Sequence, residues 1–152
     1  MPKATASDAQ LILQLYDLRR EPELRKARSW WLTEFWPTNA DDFAKIAMAL
    51  GTQENAWLRQ CGGYWSMAAG LVLHGTLNAD LFLHPSNSGE MYFLLAKVHP
   101  FLNELRQKMG DPHLFGNIEK VIQSSKFGRE RLKWTLTRVA ALREKRAAAK
   151  AS

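Results

Sequence analysis

Residues 52–73 read TQENAWLRQCGGYWSMAAGLVL, and this stretch decides the fold. Thr52 has a hydroxyl suited to capping a helix, and no proline interrupts residues 53–73. Trp57, Cys61, Tyr64, Trp65, Ala68, Leu71 and Val72 recur at the spacing of one helix face. The other side carries Gly62, Ser66 and Gly70, four residues apart, with Leu73 beside them. An apolar side opposite a small-residue side means burial from both, so this is the expected central helix. A glycine inside a helix costs about 1 kcal/mol relative to alanine. Gly62, Ser66 and Gly70 are therefore expected to form a close-packing or interface face, against another backbone of the fold or a second subunit.

On either side of this stretch the punctuation is also helical. Ser7 can cap a first helix carrying Leu11, Leu15 and Leu18. Pro22 opens a second, with Leu24, Ala27, Trp31 and Phe35 on one face, and Pro37 stops it at Trp36. Thr38 caps a third, with Asp41 as its acidic partner, and Gly51 closes it. After the break at Gly75, Asn78 caps a short piece ending at Leu83, and residues 85–89 read as a loop. Met91, Leu94, Val98, Phe101 and Leu105 then form an apolar seam, kinked at Pro100 and ended by Gly110. Asp111 and Pro112 open another short helix with Ile118, Val121 and Ile122. Residues 124–128 read as a linker, followed by a basic helix from Arg129. Only residues 71–83 could hide a strand, and no internal repeat appears. The fold class is all-α: a single-domain bundle of about six to eight helices around the long apolar one.

The 152 residues carry a net charge of +6, but not evenly. Residues 1–125 hold 12 Lys/Arg and 13 Asp/Glu, whereas residues 126–152 hold 9 Lys/Arg and only two acids. The chain thus divides into a nearly neutral helical core domain, 1–125, and a basic C-terminal helix, 126–152. Leu132, Leu136 and Val139 give that helix a narrow apolar stripe. Beyond Leu142 the same azimuth passes to Arg143, Arg146 and Lys150, so docking is expected to end there and the last turns to project. Arg129, Arg131, Lys133, Arg138, Arg143, Lys145 and Arg146 are the candidate contacts for nucleic acid or another polyanion. The plainer reading is a solvated helix whose cations suit its dipole.

Other constellations are weak. Arg and Trp interleave over residues 19–31, yet Trp31 falls in an apolar stripe; Trp30 and Trp36 are left without a reason. His74 and Asn78, like Asp80 and His84, lie four apart, and Trp65, His74 and Asp80 are the candidate lining of a small-ligand pocket. No HExxH, Cys/His cluster, Glu-x-x-His pair, phosphate loop or nucleophile elbow is present, so no metal, cofactor or catalytic residue is assigned. The lone Cys61 is expected to be buried and inert in a reducing cytoplasm. Residues 64–83, the most apolar stretch, are interrupted by His74, Asn78 and Asp80, and no membrane span is expected.

Residues 16–22 (YDLRREP) and 25–30 (RKARSW), with residues 64–69 (YWSMAA), 74–78 (HGTLN) and Leu81-Phe82, resemble a family of small uncharacterised bacterial proteins, a domain of unknown function. The resemblance covers about residues 10–125 and implies a bacterial cytoplasmic origin without an activity. The leading functional expectation is a non-catalytic protein that binds a protein partner or itself. The alternatives are polyanion binding through the basic helix, and an enzyme or small-ligand binder of unspecified type.

Overall fold

The structure, a computed structural model, describes residues 2–152, and its described residues form nine α-helices with no strand. They are α1 (Ala6–Leu18), α2 (Pro22–Thr33), α3 (Ala40–Ala47), α4 (Gln53–Leu73), α5 (Ala79–Leu83), α6 (Pro85–Val98), α7 (Leu102–Met109), α8 (Gly116–Gln123) and α9 (Lys126–Ala151). A 3₁₀ turn, His99–Phe101, joins α6 to α7.

Helix α4 starts where Thr52 Oγ1 accepts the Asn55 N–H. It runs through the middle of the domain, with α2 on one side and α8 on the other. The aromatic residues fill the space between. Trp30 stacks on Phe35 at 4.5 Å, Trp31 meets Phe35 edge-on at 5.0 Å, and Phe43 and Phe115 close the cluster. Trp30 is thus a core residue, on the side of α2 that packs toward α4.

Several boundaries differ from the sequence reading, each for a local reason. Thr5, not Ser7, caps α1, because Asp8 stands three residues after it and returns a carboxylate to the Thr5 N–H at 2.7 Å. Asn39, not Thr38, caps α3; Thr38 instead donates to the Asp42 carboxylate through N–H and hydroxyl. Helix α2 ends at Thr33 rather than Trp36, since the Phe35 N–H folds back to Trp30 O and carries its ring onto Trp30. Residues 85–89 are only in part a loop: Pro85 starts a helical turn whose Ser86 N–H donates to His84 Nδ1, and the backbone then kinks at Ser88 (φ −137°) before α6 continues regularly. Pro100 breaks the seam into two helices. Residues 111–115 are turns, with α8 beginning only at Gly116, because Phe115 adopts a left-handed φ of +59° and buries its ring. Residues 124–128 are not a linker either, since Ser125 caps α9 and the helix begins at Lys126. There a β-carbon on Gly128 would lie 2.2 Å from the Ile122 carbonyl oxygen, so only glycine admits this crossing of α8 and α9.

Helix α9 buries Leu132, Thr135 and Val139 against α6 and α8. Its contact with the body runs on past Leu142. The stripe changes from apolar to cationic because the surface opposite changes, from core side chains to the carbonyl end of α2.

Candidate functional site

The end of α2 leaves its last carbonyls facing inward with no helical donor. Lys97, on α6, answers one of them and one just beyond: its ammonium donates to Trp31 O, in the last turn of α2, and to Phe35 O, past its end. This lysine is 0% exposed, in a helix segment where every residue from 94 to 98 is buried. From α9, Arg143 donates to Pro37 O at 2.5 Å and to Lys97 O at 2.6 Å, and Arg146 donates to Thr33 O at 3.2 Å.

The three cations gather around the Trp36 ring. Lys97 Nζ lies 3.9 Å from its centroid, and the Arg146 and Arg143 guanidinium carbons lie at 4.9 and 5.8 Å. Phe93 meets the ring edge-on. Burial pushes the Lys97 ammonium down to about 7, and the neighbouring Arg143 and Arg146 push in the same direction. Burial also lowers Arg143, against the pull of Asp42. The arrangement is a cation cluster held by carbonyls and an indole, with Asp42 as the carboxylate in play.

Of the other basic residues in the middle of α9, Lys133, Arg138 and Lys145 face outward, while Arg131 is half-buried, with its Nε enclosed. Arg129 donates to Gln123 O at 2.7 Å. Arg131 lies 4.0 Å over the Trp134 ring and Arg138 5.7 Å from it, while Lys133 and Lys145 are exposed. Trp134 is half exposed between the two guanidinium groups.

The small-residue side of α4 packs against α8 and the turn before it. A β-carbon on Gly70 would sit 3.3 Å from Asn117 Nδ2, which itself donates to Ser66 O, and one on Gly62 would lie 3.9 Å from the Phe115 ring. A cleft of about 320 Å³ remains beside it, lined by Phe43, Leu58, Gly62, Ser66, Met109 and Phe115 among others.

Trp65, His74 and Asp80 occupy different surroundings. Trp65 is enclosed and donates to Glu90 at 2.8 Å, and Arg28 Nε holds the same carboxylate at 2.9 and 3.1 Å. His74 is the exposed C-cap of α4. Asp80 is exposed on α5, beside a groove it shares with His84 and Phe127. Cys61 is buried against Glu90, and burial with that carboxylate raises its thiol well above the ordinary range. Among the described residues no three of His, Cys, Asp and Glu gather as a metal set.

Lys97 escaped the sequence reading, although a signal for it existed. It stands inside MYFLLAKV, a stretch apolar on every side, where a lysine has no solvent-facing azimuth.

Fold and site together define a one-domain, all-helical protein closed by a basic terminal helix; no helix is long and apolar enough to cross a membrane. The chain belongs to the family described as Domain of unknown function (DUF4760), which matches residues 4–125 and so stops just short of α9. No curated protein and no solved structure matches it.

Proposed function

We propose that the protein binds an anionic macromolecule, a single-stranded nucleic acid, through the outward face of α9. The observation that carries this reading is Trp134, half exposed between Arg131 and Arg138 on one helix face. An indole flanked by guanidinium groups offers a stacking surface for a base and two partners for the phosphates beside it. Lys133 and Lys145 extend the charge, and the nearly neutral body adds no competing field. Self-association through Gly62, Ser66 and Gly70 has less support, since α8 and the turn before it lie against that face. Most aromatic rings are likewise used inside the core. A lone buried thiol suits the bacterial cytoplasm as the setting.

Fluorescence anisotropy with a labelled oligonucleotide tests the reading. Arg131, Lys133, Arg138 and Lys145 together predict a log–log salt slope of about −3. Trp134→Ala should weaken binding about tenfold. A slope near zero, or unchanged affinity in Trp134→Ala combined with Arg138→Ala, would overturn the proposal. Point substitutions are needed, because deleting α9 would uncover the groove that Leu132 and Val139 fill.

A second reading, a protein partner, is favoured by the apolar cleft beside α4, with Met48 and Leu50 exposed just after its lining residue Ala47. Light scattering at high micromolar concentration addresses its self-association form, which a clean monomer would exclude.

A further inference from the structure

Helix α9 has a second charged face, turned inward and distinct from the one carrying Trp134. A cleft of about 240 Å³ opens between Trp36, Thr38 and the last turns of α9, bounded by Arg143, Arg146 and Lys150. Its charge is not balanced by the protein. Asp42 is the carboxylate acting on Arg143, and it is already held by the Thr38 N–H at 2.9 Å and hydroxyl at 2.8 Å, with Lys45 beside it. Lys97 stands behind the Trp36 ring as a further cation.

The donors are also incompletely used. Arg143 spends both terminal nitrogens on carbonyls, but Arg146 bonds through one alone, and Lys150 has no ion-pair partner among the described residues. The Trp36 indole N–H is buried with no acceptor among the described residues. Free guanidinium N–H groups, an ammonium and an excess of two or three positive charges in a surface cleft form the donor set that recognises a phosphate.

The geometry points to this cleft as a binding site for a phosphate-type dianion, seated on Arg146 and Lys150 beside Trp36. The anion would bridge Arg146 and Lys150 on the last turns of α9, with the Trp36 ring beside it. This site does not depend on the outward face, and Trp134 takes no part in it.

The probe is inorganic phosphate, with thermal unfolding of the full chain followed at constant ionic strength set by chloride. For a Kd near 1 mM, about 10 mM phosphate should raise Tm by about 4–5 °C. Lys150→Glu, at an exposed position near the end of α9, should abolish the rise, as should Arg146→Ala; Trp134→Ala should keep it. The absence of a rise in the wild type, or an equal rise in Lys150→Glu and Arg146→Ala, would overturn the assignment. A trinucleotide with and without a 5′-phosphate separates the sources. Discrimination of about tenfold assigns the anion to a nucleic-acid end, and none assigns it to free phosphate or a small phosphomonoester.

Discussion

Lys97→Met probes the α2 end directly. Methionine keeps the apolar stem but supplies no donor, so Trp31 O and Phe35 O lose their partner in the core. Unpaired carbonyls cost about 1–3 kcal/mol each, and relief from burying a charge beside Arg143 and Arg146 offsets part of that. The pH dependence separates the two effects. Lys97 titrates at about 7 in the folded chain against 10.5 when free. Between those values the unfolded chain holds a proton that the folded chain has released, so wild-type stability rises with pH. At 1.36 kcal/mol per unit, the gain from about pH 6 to about pH 8.5 is about 2 kcal/mol. The neutral amine keeps two N–H donors for the two carbonyls, so the hydrogen bonds survive deprotonation. Above that window Cys61, Tyr64 and Tyr92, all raised by burial, act in the opposite direction as the unfolded chain ionises first. Urea unfolding of both proteins at three pH values should therefore show the variant's deficit growing by about 2 kcal/mol from about pH 6 to about pH 8.5. Parallel curves would refute the account of a buried, titrating Lys97.

Two further substitutions test the frame around the sites. Gly128→Ala should cost more than about 2 kcal/mol, because the methyl meets the Ile122 carbonyl oxygen at 2.2 Å and backbone must shift; a melting curve like the wild type's would show that α8 and α9 cross less closely. Glu90→Gln should lower stability by about 2–4 kcal/mol, since it leaves the Arg28 guanidinium without its carboxylate and weakens the acceptor of the Trp65 indole; denaturant midpoints within error of wild type would contradict this.

The central helix was legible because its signals are local: a capping threonine, aromatic spacing and glycines where another helix approaches. The start of α6 was not, because Pro-Ser-Asn-Ser-Gly is the composition of a loop and of a proline-led turn alike, and the chain uses both, capping the turn with His84 and kinking at Ser88. Nor could periodicity place Phe115, whose left-handed backbone is held by burial of its ring. The cation site was hidden for a related reason. A helical wheel scores Arg143 and Arg146 as breaks in an apolar stripe, while their partners are backbone oxygens that exist as a target only after α2 has ended against α6. The charge excess of α9 needed no partner and was visible from the sequence, whereas the division of its cations between two faces was not.

Helix α9, 26 residues long, comes after the other eight helices in chain order, yet it completes the core around α6 and ties the end of α2. Synthesis delivers those eight first. Until α9 has emerged from the ribosome, the surface that receives Leu132 and Val139 lies bare, and Lys97 lacks the arginine that binds its carbonyl. The nascent protein therefore cannot reach its native state before α9 is free to dock, and a ribosome stalled short of that point would hold a sticky, half-closed domain. A product ending before α9 should accordingly be a substrate for chaperones and proteases rather than a smaller working version of the protein.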